Sequence, residues 1–238
     1  MIYVMSDIHG NERRFHSIMK QINLQPEDTL YVLGDVVDRY PGGIRLLRRI
    51  MAMPNAKMLL GNHEYMMLRA LGCPVDDFVD DGGAMGHWHR NGGDLTHHAF
   101  KHIRKTVRQE IIDYLHSLPL NMDVEVNGTT YKLVHGAPIE EYQPGTRYKN
   151  PTYYTVWRRF EEDYPLDGDY TMVFGHTPTQ YYVDKAPMEV WYGDRKIGID
   201  CGSGYPETGE ESEYGRLACL RLDDGKVFYS DETSRSSL

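Results

Sequence analysis

The feature that most constrains this chain is a pairing, repeated five times, of a short apolar run with a polar residue able to bind a metal. The runs are Ile2–Met5, Thr29–Leu33, Ala56–Leu60, Tyr131–Val134 and Thr171–Phe174, each with the length and composition of a buried strand. Asp7 and His9 follow the first, in Asp7-Ile8-His9-Gly10. Asp35 follows the second, in Gly34-Asp35-Val36-Val37-Asp38-Arg39, and Asn62 the third, in Gly61-Asn62-His63-Glu64. His135-Gly136 follows the fourth run and Gly175-His176 the fifth.

Helical patterns separate the first strands. Phe15, Ile18, Met19 and Ile22 lie on one face of a helix over Glu12–Ile22, and Ile44–Met51 and Arg104–Leu115 read the same way. Strands alternating with helices predict an α/β fold. The later strands, Met122–Val126 with Tyr131–Val134 and Leu217–Leu222 with Lys226–Tyr229, are hairpin-linked. Asp223-Asp224-Gly225 supplies the turn of the last pair. A mixed architecture follows, in which a second sheet packs on the first. No repeat or low-complexity linker divides the sequence, so the expectation is one domain over 1–238. About residues 73–103, rich in Asp, Gly and His, the alternation breaks, and this stretch reads as a lid or insertion near the active-site mouth. Tyr142–Tyr154 is a second irregular stretch.

In an open α/β sheet the ligand crevice lies beyond the carboxyl ends of the strands. Five such ends can therefore gather Asp7, His9, Asp35, Asn62, His135 and His176 at one place. Imidazole and carboxylate suit manganese, iron, zinc or nickel, and the absence of thiolate argues against a structural zinc site. Six ligands are too many for one catalytic ion that keeps positions open for water and substrate. Divided between two divalent ions with one carboxylate shared, they leave room for both, and two ions roughly 3.5–4 Å apart can clamp a phosphoryl group.

Composition narrows the partners. The 238 residues carry a formal net charge of −9, which argues against duplex nucleic acid or an anionic membrane as the main partner. Cys73, Cys201 and Cys219 are an odd count without a short-spaced pair, which suits reduced thiols better than a disulfide framework. No basic region with a long apolar stretch opens the chain and no transmembrane run follows, so the reading is cytoplasmic.

The ordered motifs Asp-x-His-Gly, Gly-Asp-x-Val-Asp-Arg and Gly-Asn-His-Glu, followed by His-Gly and Gly-His, resemble those of the calcineurin-like metallophosphoesterases. The Val-Asp-Arg ending resembles the phosphoprotein phosphatase branch, of the short bacterial and phage type. The resemblance runs from Asp7 to His176, and the tail from Ile199 to Ser230 is similar to that family's closing strands. It implies two mixed β-sheets packed as a sandwich flanked by helices, a four-layer fold with a dinuclear metal site at the strand ends. By position it makes Asp7 and His9 ligands of one metal, Asp35 the bridge, and Asn62, His135 and His176 ligands of the other, with manganese foremost among the metals. Arg39 would bind substrate phosphate, for which a guanidinium offers a planar fork of donors. His63 would protonate the departing oxygen, with Asp38 fixing its imidazole. A second phosphate-binding arginine is expected in Trp157-Arg158-Arg159, with Arg159 favoured because the bacterial pattern resembles Trp-x-Arg.

The implied activity is metal-dependent phosphomonoester hydrolysis by a serine/threonine protein phosphatase, with in-line attack by a metal-bridging hydroxide. The substrate would be a phosphorylated protein or a small phosphate ester. A nucleotide hydrolase of the diadenosine tetraphosphatase kind resembles the same motifs, and a non-catalytic scaffold binding phosphorylated partners is the reading from another class. Other residues have bland readings. His87, His89, His97, His98 and His102 fit no compact ligand set and read as a solvated face. Trp88 with Asn91-Gly92-Gly93 resembles a motif of the bacterial branch, without a chemical role legible from sequence. The tyrosines of 142–154 suit packing or a groove equally. Glu64 suits a helix start or support of the ligands, and Asp200-Cys201-Gly202 a strand-end turn.

Overall fold

The computed structural model describes residues 1–75 and 83–230. Ten strands and seven α-helices are described, in chain order β1 (Ile2–Met5), α1 (Glu12–Ile22), β2 (Thr29–Val32), α2 (Gly43–Met51), β3 (Ala56–Met58) and α3 (Asn62–Ala70). Then come α4 (Ala84–Trp88), α5 (Asp94–Lys101), α6 (Lys105–Ser117), β4 (Asn121–Val126), β5 (Thr129–Val134), α7 (Pro151–Trp157) and β6 (Thr171–Phe174). The chain closes with β7 (Trp191–Gly193), β8 (Lys196–Gly198), β9 (Ala218–Arg221) and β10 (Val227–Tyr229). The strands form two five-stranded mixed sheets, ordered β10-β9-β1-β2-β3 and β4-β5-β6-β8-β7.

Period-two alternation in these strands sorts side chains into layers. In β1, Tyr3 and Met5 face the helical side with Phe15, Ile18, Leu47 and Met67. Val4 between them faces the second sheet, in a cluster with Leu33, Leu133, Val173 and Ile199. In β6, Val173 joins that inter-sheet core, while Met172 and Phe174 pack outward on Tyr154, Phe160 and Trp191. Helices, sheet, sheet and a cover built around α7 make the four layers. Cores on both faces explain why these strands read as continuous apolar runs rather than alternating ones.

Local chemistry places the elements. The Asn11 side chain accepts the Arg14 N–H at the start of α1, and left-handed Asn23 closes the helix by donating its N–H to Met19. The hairpin β4–β5 turns through Asn127-Gly128, both at positive φ, as a tight antiparallel connection demands. The strands β1, β2 and β3 run parallel, as do β5, β6 and β8. Six carboxyl ends therefore face one edge of the sandwich.

Two stretches differ from expectation. Residues 84–101 hold α4, a π-type turn over His89–Gly93, and α5. The expected 73–103 region is thus largely helical where described, and its residues 76–82 lie outside the described residues. Within Tyr142–Tyr154, α7 begins at Pro151 behind an Asn150 cap. Tyr148 and Tyr154 are buried with rings 5.1 Å apart at right angles, so these two tyrosines pack a core. Among the described residues no helix is long and apolar enough to cross a membrane.

Leu133 is fully buried between the sheets. Leu133→Ala should lower the unfolding free energy by about 2–5 kcal/mol, read from the midpoint of a denaturant titration at unchanged slope.

Candidate metal centre

The loops after β1 and β2 extend the pairing of those strands past their ends. Asp7 N–H donates to Gly34 O, His9 N–H to Asp35 O and Gly10 N–H to Val36 O, at 3.1, 2.9 and 2.7 Å. Across the sandwich, Gly175 N–H donates to His135 O at 3.0 Å, joining the loops after β5 and β6. Two bonds stitch the sheets together at this edge. The His135 ring pairs through Nδ1 with Leu33 O at 2.7 Å, and His176 N–H donates to the Asp7 carboxylate at 3.0 Å. Close approach is possible because Gly61 and Gly175 lack Cβ atoms, which would collide with the carboxylates of Asp35 and Asp7 respectively. Asp7, His9, Asp35 and His176 adopt positive φ near 50–60°, a conformation that costs a non-glycine residue on the order of 1–3 kcal/mol each and persists only where surrounding bonds impose it.

All six expected ligands meet here, and all are buried. Their contacts close a ring. Asp7 stands 3.8 Å from His9 Nε2, which is 3.8 Å from Asp35. The other Asp35 oxygen is 3.5 Å from His135 Nε2. The Asn62 side-chain oxygen lies 2.8 Å from both His135 Nε2 and His176 Nδ1, and the His176 backbone returns to Asp7. Two groups have ligand atoms mutually within 4.8 Å: His9, Asp35 and His63, and Asp35, His135 and His176. Asp35 is common to both, as a bridging carboxylate would be. The first group contains His63 where the resemblance implied Asp7.

Charge and protonation suit cations. His9 and His135 use Nδ1 on Val37 O and Leu33 O, which fixes the tautomer and turns Nε2 toward the cluster. Burial holds His9 and His176 well below the usual imidazole range, with Arg39 adding at His9 and His135 adding at His176. Burial lowers His135 as well. Neutral imidazoles keep the lone pair that a metal needs. Burial, then the charges of Asp7 and Glu64, pushes the Asp35 carboxyl well above the usual carboxylate range. Asp200, at the end of β8, is pushed up to about 8 by burial and Asp7. Buried carboxylates crowded this way need positive charge among them, and the donor set of imidazole, carboxylate and amide oxygen fits divalent ions.

Around the ring stand the other expected residues. His63 pairs through Nδ1 with Asp38 at 2.7 Å, leaving its Nε2 3.9 Å from Asp35 and 3.5 Å from the Arg39 guanidinium. Arg159 and Arg158 separate clearly. The charge of Arg159 acts on His135, His176 and Asp200. Arg158 instead pairs with Glu161 at 3.4 Å and lies over Phe160 and Tyr164, on the outer side. Of the five histidines read as a solvated face, His89 and His97 pair ring to ring at 2.9 Å and His87 stacks on Trp157. None joins a three-ligand group among the described residues. The Asp200 side chain accepts the Gly202 N–H at 2.9 Å, the turn chemistry expected of it. Cys201 and Cys219 are buried free thiols with pKa pushed up by burial, unsuited to nucleophilic use.

Two supports have contacts that the sequence did not show. Glu64 is fully buried, and its two oxygens accept the N–H groups of Asp35, Val36, Val37 and Gly61 at 2.8, 2.8, 3.2 and 3.2 Å. It caps α3 and also suspends the loop carrying Asp35, so both readings of this residue hold. Burial pushes its carboxyl up to about 7, against the pull of those N–H groups. The Glu at the third position of α3 was the available signal. Trp88 donates its indole N–H to Asp38 at 2.8 Å, and its tryptophan identity alone carried no such signal.

A ring of buried imidazole, carboxylate and amide ligands at the seam of a two-sheet sandwich defines a metallophosphoesterase. The chain belongs to the calcineurin-like phosphoesterase family, whose model matches residues 1–204, and it is accordingly a hydrolase of phosphate esters. It is 32% identical over 220 residues to serine/threonine-protein phosphatase 2 of Escherichia coli (strain K12), covering 90% of this chain and 91% of that protein. A symmetrical bis(5'-nucleosyl)-tetraphosphatase of Photorhabdus laumondii is 37% identical over 68 residues, 28% of this chain and 25% of the relative. The solved structure of a metallophosphoesterase from Sphaerobacter thermophilus shares the fold, with a TM-score of 0.55 at 16% identity over 96% of this chain and 86% of that one.

Glu64→Gln replaces one acceptor oxygen with an N–H₂ that faces backbone donors. Stability should fall by about 1–3 kcal/mol, and metal bound per chain after manganese loading, measured by elemental analysis, should drop with it.

Proposed function

We propose that this chain is a two-metal serine/threonine protein phosphatase. The observation that carries the catalytic reading is the disposition of His63. Its Nδ1 is committed to Asp38, and its Nε2 faces the cluster beside Arg39. A guanidinium 3.5 Å from Nε2 occupies the side that a cation would need, which favours His63 as a proton donor over a ligand. The metal assignment in this reading is Asp7, His9 and Asp35 for one ion, and Asp35, Asn62, His135 and His176 for the other. Manganese is the foremost candidate by the family resemblance, since the N and O donors by themselves accept several divalent ions. When bound, the two ions supply Lewis acidity to the phosphoryl oxygens and activate the attacking water.

The chain's own residues do the rest. Arg39 and Arg159 hold the non-bridging phosphate oxygens and offset the charge that builds on them in the transition state. As the bond from phosphorus to the ester oxygen breaks, a proton carried on His63 Nε2 passes to that oxygen, and the alcohol leaves neutral. Asp38 keeps the ring turned for this transfer. No cysteine and no covalent phospho-enzyme take part. The catalytic domain spans 1–238 in this reading, the described parts of the stretch 73–103 flank its mouth, and the enzyme works in the cytoplasm.

The protein substrate is supported by similarity that runs nearly the full chain to a serine/threonine phosphatase. Similarity to the dinucleotide hydrolase covers 28% of the chain, which favours hydrolysis of dinucleoside tetraphosphate as the second reading. Metal-stripped protein reloaded with manganese should release phosphate from phosphoserine and phosphothreonine peptides. Rapid turnover of dinucleoside polyphosphates with silence on the peptides would reverse the order of the two. His63→Asn should lower kcat roughly a hundredfold or more on phenyl phosphate and far less on nitrophenyl phosphate, whose leaving group needs no proton. Equal losses on the two esters would remove His63 from the acid role.

A further inference from the structure

Asp38 and Arg39 are consecutive non-glycine residues in the left-handed region, at φ 73° and 65°. That conformation is disfavoured at each of them, so something must impose it. Part of the restraint is local, since Tyr40 N–H donates to Asp38 O at 2.8 Å, and part comes from the first loop, since the same N–H reaches His9 O at 3.1 Å. The remainder comes from the stretch running from the end of α4 into α5, fifty or more residues along the chain.

Three hydrogen bonds reach the turn from this segment. The Asp38 N–H donates to Thr96 Oγ1 at 2.9 Å, the Arg39 N–H to Gly92 O at 3.0 Å, and the Trp88 indole N–H to Asp38 Oδ2 at 2.8 Å. The glycines make this docking possible. Gly92 has φ 90°, and a Cβ there would press on Arg39 at 3.0 Å, while a Cβ on Gly93 would run into the Trp88 ring. Trp88 is fully buried, among the largest side chains with no exposed surface. The Trp88, Gly92, Gly93 and Thr96 pattern thus has one physical purpose, which is to seat the Asp38–Arg39 turn.

The indole does more than pack. His63 Nδ1 and Trp88 Nε1 converge on the same oxygen, Asp38 Oδ2, at 2.7 and 2.8 Å, and Asp38 Oδ1 is buried without a hydrogen-bond partner. A carboxylate held by His63 alone could rotate and exchange its two oxygens, letting the imidazole swing. A second donor from a rigid, buried ring removes that freedom. We infer that Trp88 is a positioning residue for the Asp38–His63 pair, acting through its indole N–H to keep His63 Nε2 aimed at the ester oxygen. Its ring meets Asp38, His89 and His97, none of them an expected metal ligand, and the inference rests on the proton-donor reading of His63.

Trp88→Phe keeps the apolar bulk and deletes the N–H. Its kcat on phenyl phosphate should fall about tenfold, the loss of one hydrogen bond to a charged group. On nitrophenyl phosphate the loss should be less than about twofold, with KM and metal content unchanged. In an Asp38→Asn background the same substitution should add little, because its effect runs through that carboxylate. Equal losses on both esters, or losses that add fully to those of Asp38→Asn, would overturn the inference. His63→Asn, assayed in parallel, judges the acid reading separately, since indifference of that variant to the leaving group refutes the acid role whereas the cycle with Asp38→Asn still decides Trp88. Should Trp88→Phe fail to fold, the indole N–H resonances of the unaltered enzyme serve instead. One of them should lie downfield and shift in Asp38→Asn, and no movement of any indole resonance would refute the contact.

Discussion

Everything at the catalytic edge hangs from one buried carboxylate, that of Glu64. Its oxygens gather four backbone N–H groups, three of them successive residues of the loop after β2. The carbonyls of this loop pair with the loop after β1, but its N–H groups would otherwise be left unpaired in a buried interior, at a cost of a few kcal/mol. With the donors satisfied, Asp35 is presented at φ 54° between two sets of imidazoles. The Asp35 side chain then accepts the His63 N–H at 2.9 Å, so the start of α3 and the Asp35 carboxylate position each other. Asn62 and His63 occupy the first turn of that helix, where the Glu64 cap holds them.

The second constraint is electrostatic. Burying Asp7, Asp35 and Asp200 near one another is unfavourable for a chain without bound cations, and the upward displacement of Asp35 and Asp200 expresses that cost. The same burial keeps His9, His135 and His176 neutral. The two effects make a site that is frustrated by itself and relieved by positive charge. Apolar layers on both faces of each sheet supply the rigidity that makes this tolerable, since a close-packed interior cannot relax to separate the charges.

Much of this arrangement is legible in the residues. The strands at Ile2–Met5 and Thr171–Phe174, and the helix at Glu12–Ile22, occur where periodicity predicts them, because buried parallel strands and amphipathic helices carry strong apolar patterns. Strand ends are less legible. The expected Thr29–Leu33 and Ala56–Leu60 end at Val32 and Met58, since Leu33, Leu59 and Leu60 stay buried after regular pairing has stopped. Helix α7 was hidden in a run of tyrosines, whose weak helix propensity is overridden by burial of Tyr154 and by the Asn150 cap. The helices around Trp88 were hidden for a related reason, as glycines that disfavour a helix are retained there to let the backbone dock on Arg39.

The sequence by itself determined the types of the candidate ligands, their order and their association with strand ends, because covalent order ties each motif to the apolar run before it. It favoured Arg159 over Arg158 only by a motif pattern, without showing that Arg158 lies over Phe160 and Tyr164 or that Trp88 and His63 share one oxygen of Asp38. Those outcomes depend on side-chain direction and on contacts between segments tens of residues apart. Only the packing of the two sheets, with the α4–α5 segment laid against the second loop, brings such groups within hydrogen-bonding distance. Local sequence encodes which groups are available, and tertiary structure decides which of them meet.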